Sequence, residues 1–497
     1  MKTKKVLFLF FCLWSVVCTA QVSPKLRTGY ANPILDGVFT ADPTAVEYQG
    51  RLYVYGTNDT EQYEQTEKNS YEKIKTIAMM STGDMVNWTY HGTIPVGEIA
   101  PWIINSWAPS VVSRVEEDGK THFYLYFSNS GFGTGVITAT SPVGPWTSPL
   151  NKSLVDANTE GLGDCRVPFD PGAVIDSNGV GWLALGGSKS RIVRLGKDMV
   201  SLDSEFVNPR PQHHFEANEL NYIGGKYVYT YNIDWEDHSD WKLSEEIPSR
   251  CCMAYMTSNT PLDSMSWHYE NAYLDNPGDF EGFTSTNNHT HLHQFQGKWY
   301  VFYHSEMLQD DMGMYLTGGP EGATEENPKG GFRSIMVDEI QVDEQNVHIY
   351  PAKMTKEGVR QISGLNPYQL QQAETAAATE GIKFINGDEV GNMVAAPGRA
   401  FVKHEMPSQS VIYVRGVDFR EGSKAVLAHL KGKGTVEIRV GYLDSPTTAV
   451  ITSKGNDWQC IKKSCRIDGF HDLFFILKGE VQFDDWQFIE RGSRLTM

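Results

Sequence analysis

Between residues 50 and 302 the chain returns five times to a short aromatic strand: Gly50-Arg51-Leu52-Tyr53-Val54-Tyr55, Thr121-His122-Phe123-Tyr124-Leu125-Tyr126, Gly181-Trp182-Leu183-Ala184-Leu185, Gly225-Lys226-Tyr227-Val228-Tyr229 and Gly297-Lys298-Trp299-Tyr300-Val301-Phe302. Repetition of this kind means stacked or radial units, because one such hairpin cannot bury its own apolar faces. Four of the five strands follow, by roughly ten to a dozen residues, a single strong polar group: Asp42, Asp170, Glu216 and His289. If each repeat is one blade of a propeller, equivalent positions converge on the axis. Three carboxylates and a histidine then share one pocket.

The repeats share a grammar. Asp42-Pro43 opens a strand that turns at Gln49-Gly50, Asp170-Pro171 one that turns at Ser177-Asn178-Gly179, Glu216 one that turns at Gly224-Gly225, and His289 one that turns at Gln296-Gly297. Asn-Gly and Gly-Gly pairs suit tight hairpins. The second repeat opens on Trp107-Ala108-Pro109 and brings an aromatic side chain in place of an acid.

Residues 1–20 read as an export address, with Lys2, Lys4 and Lys5 before the apolar run Val6 to Val17 and a small-residue exit at Cys18-Thr19-Ala20. Val17 is bulkier than the residue usually found before a lipidated cysteine, so export without a lipid anchor, to the periplasm or the extracellular space, is expected. No later segment has the length of apolar sequence that a spanning helix needs. The net charge of −18 disfavours nucleic acid and anionic membranes as partners, but not a neutral polysaccharide. Outside the export segment lie Cys165, Cys251, Cys252, Cys460 and Cys465, an odd number without a zinc-type spacing. Cys460 and Cys465 could bridge if their strand bends.

The chain is too long for one core. Residues 28–355 hold the repeats, 356–370 carry the Gly, Pro and polar residues of a linker, and 371–491 change to short alternating strands such as Val411-Ile412-Tyr413-Val414 and Leu473-Phe474-Phe475-Ile476-Leu477. That spacing, with no helical period, predicts a β-sandwich of jelly-roll type behind a five-bladed propeller, and an all-β protein.

Two carboxylates facing each other across a dry pocket can hydrolyse a glycosidic bond, one protonating the leaving oxygen and the other activating water or attacking carbon. A third acid nearby raises the donor's pKa and keeps it loaded. The series Ala41-Asp42-Pro43, Trp107-Ala108-Pro109, Phe169-Asp170-Pro171, His214-Phe215-Glu216 and Asn288-His289, in phase with the repeats, resembles glycoside hydrolase family 43. The resemblance implies an inverting exo-glycosidase acting on plant cell-wall oligo- or polysaccharide, with α-L-arabinofuranosidase expected ahead of β-xylosidase or galactan-cleaving activity. It assigns Asp42 as general base, Glu216 as general acid and Asp170 as the residue that tunes and orients the acid. It also implies Trp107 as a pocket wall, Arg333 reaching in from a late strand, and His289 near the centre as a substrate or metal contact. No cofactor is needed for this chemistry.

Each assignment has a rival. Glu219 competes with Glu216, and simple strand alternation sends the two to opposite faces. His291 and His293 compete with His289, and Arg333 could instead pair with Asp338 or Glu339 on the surface. The loops Glu61 to Ile74 and Ile233 to Arg250 are where substrate preference would reside. The second domain, through Gln371-Gln372-Ala373-Glu374, Asp457-Trp458-Gln459 and Phe483-Asp484-Asp485-Trp486, resembles carbohydrate-binding module family 6. That implies a sugar contact at Trp458 and a structural calcium reached by Glu374, although Phe483 occupies the place of the family's asparagine. A non-catalytic glycan-binding propeller is the alternative of another class, disfavoured because unpaired buried carboxylates are costly.

Overall fold

A computed structural model describes residues 25–66, 69–281, 287–312, 331–403 and 405–493, so the export segment lies outside the described residues. Five antiparallel sheets follow one another around an axis. Their innermost strands are Ala41–Tyr48, Trp107–Val115, Gly172–Ile175, His214–Ile223 and Thr290–Phe295. In every blade the aromatic repeat is the second strand: Arg51–Thr57, Thr121–Ser128, Gly181–Leu185, Lys226–Ile233 and Lys298–Ser305.

Those strands are aromatic because both of their faces are covered. Phe123, Leu125 and Phe127 pack towards Tyr55 and Ile77 of the first blade, while Tyr124 and Tyr126 pack towards Leu183 and Leu185 of the third. A strand sandwiched this way shows no polar face. The tyrosine tips find acceptors in the neighbouring blade, Tyr55 Oη donating to Pro142 O (2.6 Å) and Tyr126 Oη to Met199 O (2.6 Å). Between the fifth and first blades the ring is joined by apolar packing of Leu52 and Val54 on Phe302, Ile335 and Val337. Asn32 completes the edge there: its amide donates to Val337 O (3.0 Å) and accepts from Val337 N (2.8 Å), as a strand's backbone would.

The C-terminal domain is a nearly closed antiparallel sheet built on three long strands, Ser423–Val440, Ala449–Ser464 and Phe470–Glu490. At Gly432 (φ +95°) the first of these bends so closely over Glu480 that a Cβ would sit 2.0 Å from its carbonyl oxygen. The inner side of the domain is one apolar cluster that includes Ile412, Val414, Phe475 and Trp486. Cys460 is exposed while Cys465 is buried in that cluster, and all five described cysteines are free. The strand runs straight through to Ser464 and holds the two cysteines about 16 Å apart, too far for a disulfide.

The two domains are sewn together. Thr375–Ala376 pairs with Trp88 and Thr89 and adds a fifth strand to the first blade. Residues 356–370 lie in the seam, where Ile362 N donates to Asp84 O (3.1 Å) and Gln361 Nε2 reaches both Asp84 Oδ2 and Gly416 O (3.1 Å each). Thr379 donates its backbone N–H and its hydroxyl to the buried Asp36 carboxylate (2.7 and 2.9 Å). No helix among the described residues is long and apolar enough to cross a membrane.

Candidate active site

The residues that open the inner strands are held in an unusual backbone. Asp42 (φ +51°), Ala108 (+39°), Asp170 (+49°) and Ala217 (+58°) are all left-handed, and the first, second and fourth inner strands shift register at these points. Such bulges kink a strand and re-aim its side chains, and non-glycine residues keep this conformation only where the surroundings enforce it. The result is one cavity of about 160 Å³ at the axis, lined by Asp42, Trp107, Asp170, Glu216, His289 and Arg333 together with Tyr71, Phe169, Asn287 and Asn288. Its volume is below the roughly 300–1,000 Å³ of pockets that take drug-sized ligands and fits a single small ring.

Asp42 is held as an anion. Its Oδ1 receives Arg333 Nη1 at 3.0 Å, its Oδ2 accepts from Thr57 Oγ1 at 2.7 Å, and its backbone N–H donates to His304 Nδ1 at 3.1 Å. Burial pushes its pKa up, but the Arg333 guanidinium and then His304 outweigh burial and hold it far below the usual carboxylate range. Arg333 is fixed from behind by Asp59, which takes Nε and Nη2 at 2.9 Å each and the Arg333 backbone N–H at 3.0 Å. The guanidinium also lies 4.8 Å from the centre of the Tyr71 ring. Tyr71 O in turn accepts the Trp107 indole N–H at 3.0 Å, which sets the wall.

Glu216 is the opposite case. It accepts no hydrogen bond from the described residues, and burial first, then Asp170 and Asp42, push its pKa well up, with Arg333 acting the other way. Burial raises Asp170 too. Asp170, however, receives Ala217 N–H on Oδ2 (3.0 Å) and Ser128 Oγ–H on Oδ1 (3.2 Å), both of which favour its charged form. Of the two, Glu216 is therefore pushed further towards holding a proton, while hydrogen bonds support the charge on Asp170.

The rivals are placed elsewhere. The bulge around Ala217 sets Glu216 opposite Asn232 and Glu219 opposite Thr230, so the partner strand advances two residues while this one advances three. Simple alternation therefore fails here: the two acids are not sent to opposite faces. What separates them is depth, since Glu219 is outside the cavity, buried against His291 Nδ1 at 2.8 Å, and His291 continues to His293. His289 does line the cavity, its Nδ1 3.6 Å from Asp42 Oδ1, and burial lowers its pKa despite Asp42 and Asp170. It belongs to no group of three metal-ligating side chains among the described residues. Asp338 and Glu339 do not pair with Arg333: Asp338 accepts from Tyr303 and Thr355, and Glu339 from Lys298. Trp458 lies apart, half-buried in a groove between the domains with Tyr53, His91 and Asp485, and Lys431 Nζ is 5.7 Å from its ring. Thr57, Asp59, Tyr71 and His304 escaped sequence reasoning; only Tyr71 carried a signal, by lying in a loop expected to shape the pocket.

The profile of the glycosyl hydrolases family 43 matches residues 30–321. This chain belongs to that family. It is 32% identical to an arabinoxylan arabinofuranohydrolase of Bacillus subtilis (strain 168), covering 97% of this chain and 99% of the relative. It is 30% identical to an arabinoxylan arabinofuranohydrolase of Paenibacillus polymyxa, over 99% of this chain and 80% of that one. A crystal structure of a family 43 arabinoxylan arabinofuranohydrolase from Bacillus subtilis, in complex with cellotetraose, superposes with a TM-score of 0.83 at 30% identity, over 95% of this chain and 99% of that chain. Such coverage includes both domains. Family 43 members are glycoside hydrolases that invert the anomeric centre, a chemistry that works through a pair of carboxyl groups, and the cavity of this chain brings three carboxyl groups together.

Proposed function

We propose that this protein is an exported α-L-arabinofuranosidase that removes single arabinofuranosyl branches from arabinoxylan with inversion. The observation that carries this reading is three carboxyl groups in one small cavity with different partners: Asp42 clamped by Arg333 and Thr57, Asp170 accepting from Ala217 N–H, and Glu216 without a hydrogen-bond partner among the described residues. Asp42 takes a proton from the attacking water as its oxygen bonds to the anomeric carbon. Glu216 gives its proton to the departing xylan oxygen, so that the bond to the branch breaks to leave a neutral hydroxyl. Asp170 holds the Ala217 N–H next to the acid and so aims it, while its charge keeps Glu216 loaded. Trp107 and Tyr71 form the apolar wall, and Arg333 keeps Asp42 ionised. The names of the two full-length relatives support arabinoxylan as the substrate class.

The C-terminal domain acts in this reading as a docked structural module, since it extends the first blade's sheet. The calcium implied by its family resemblance fits Glu374, whose buried Oε2 has no hydrogen-bond partner among the described residues and whose pKa burial pushes well up, with Asp484 and Asp485 nearby.

The test is Glu216→Gln and Asp42→Asn, assayed on arabinoxylan oligosaccharides and a panel of aryl glycosides, with the anomer of the first product read by NMR. Loss of more than 100-fold in both variants is expected, on the order that general acid–base catalysis contributes, with β-arabinofuranose appearing first. Survival of activity within tenfold in both, or a retained anomer, overturns the mechanism; preference for xylosides overturns the substrate.

A further inference from the structure

Beside the acid-bearing strand lies a second constellation that the glycosidase chemistry does not use. His213 immediately precedes the strand His214–Ile223, and Asp234 and His238 sit in the long loop after Lys226–Ile233. Their ring nitrogens and carboxylate oxygens lie within 4.8 Å of one another. Asp234 Oδ2 is 3.1 Å from His213 Nδ1, and Asp234 Oδ1 is 2.9 Å from His238 Nε2. Two nitrogens and an oxygen bound to one ion at about 2.0–2.1 Å would stand about 3.3 Å apart in a tetrahedral set. Little has to move.

The outer nitrogens decide what the inner ones offer. His213 Nε2 is 2.7 Å from Asp240 Oδ1 and His238 Nδ1 is 3.0 Å from Pro248 O, so each outer nitrogen has an oxygen to which it can donate its hydrogen. A carboxylate or carbonyl behind each imidazole is the support that metal-ligating histidines have. With those hydrogens placed outward and an ion taking the place of the inner ones, His213 Nδ1, His238 Nε2 and the Asp234 carboxylate can all turn lone pairs to one point. Both histidines also hold left-handed backbones (φ +53° each), strain that the surrounding structure must enforce.

We propose that His213, Asp234 and His238 form a binding site for a divalent transition ion of the zinc class, with a fourth position open to water. Two imidazoles and one carboxylate suit zinc, cobalt or nickel rather than calcium. The ion staples the long loop to the strand that carries Glu216. Trp235, next to Asp234, stands edge-on to Phe215 at 6.4 Å, so the staple also fixes an aromatic contact beside the strand that carries Glu216.

The experiment uses the untagged full-length protein, stripped with chelator and titrated with Co²⁺ by absorption spectroscopy and with Zn²⁺ by calorimetry, with Ca²⁺ as control. A Cys460→Ser background removes the one exposed thiol among the described residues. One equivalent of Co²⁺ with the visible bands of a low-coordinate nitrogen and oxygen site is expected, displaced by Zn²⁺ and untouched by Ca²⁺. His213→Gln should abolish it. Asp240→Ala, at an exposed position that only supports His213, should weaken binding by roughly 10–100-fold. Absence of saturable binding, or binding equal in His213→Gln, overturns the site and leaves two histidines hydrogen-bonded to Asp234. Neither result bears on Asp42 or Glu216.

Discussion

Asp170→Asn removes a charge from the site while keeping its shape. The new amide oxygen can accept from Ala217 N–H where Asp170 now does (3.0 Å), and the amide nitrogen can donate to Ser128 Oγ, which already accepts the Asp170 backbone N–H at 2.8 Å. What is lost is one buried negative charge beside Glu216. Burial is the first cause of Glu216's raised pKa, Asp170 the second and Asp42 the third, so removing Asp170's charge lowers it without abolishing the rise. In general a neighbouring charge within about 4–6 Å is worth roughly 1–3 units, or about 1.4–4 kcal/mol. Glu216 then loses its proton at lower pH, and the basic limb of kcat/KM moves down by that amount. Asp42, relieved of a like charge, stays ionised, so the acid limb does not move up. Above the wild-type limb the variant should fall behind by on the order of 10- to 1000-fold. The assay is arabinose release from an arabinoxylan oligosaccharide across pH, because a sugar hydroxyl needs a proton to leave; a nitrophenyl glycoside run in parallel needs little and should respond less. A basic limb that stays within a few tenths of a unit while kcat falls uniformly would refute the electrostatic role and leave Asp170 as a positioning residue only.

The Arg333 clamp makes a stability prediction: Arg333→Met strands the fully buried Asp59 and should cost about 3–5 kcal/mol in chemical denaturation, of which adding Asp59→Asn should restore a measurable part. Equal stability of the single and double variants would refute the pairing. Calcium should raise the melting temperature of the wild type and not of Glu374→Gln. In metal-free buffer the order reverses with pH, because a carboxyl whose folded pKa is raised contributes its stability below its unfolded value of about 4.3 and loses it as pH rises through the folded value, so Glu374→Gln should be the more stable protein at neutral pH. Because Thr375–Ala376 completes the first blade's sheet, calorimetry should show one cooperative transition for both domains, and two separated transitions would contradict the shared sheet.

Much of the site was legible because a repeat supplies a phase. Asp42, Asp170, Glu216 and His289 stand at equivalent points before the aromatic strands, and equivalence in a radial fold means proximity. Arg333 was legible as a residue but not as a partner, since sequence neighbours Asp338 and Glu339 were the natural candidates while Asp59 is 274 positions away. Glu216 and Glu219 show a different limit. Alternation assumes a regular ladder, and the left-handed residue Ala217 breaks it, so both the expected faces and the reason for choosing between the acids were set by a bulge that composition does not announce. The seam between the domains was equally hidden: residues that look like a linker are pinned on both sides, Gln361 reaching the Asp84 carboxylate on one and the Gly416 carbonyl on the other.

By itself the sequence determined the all-β class, the five radial units and the set of polar residues at their openings, because hydrophobic period and turn chemistry are local properties that repeat with the chain. Only the tertiary structure decided how protons are shared among those residues. A carboxyl's pKa depends on burial and on the sign of the charges within a few ångströms, and those neighbours come from different blades: Arg333 and His304 on Asp42, Asp170 and Asp42 on Glu216. Three acids that are alike in sequence thus meet three different environments at one axis.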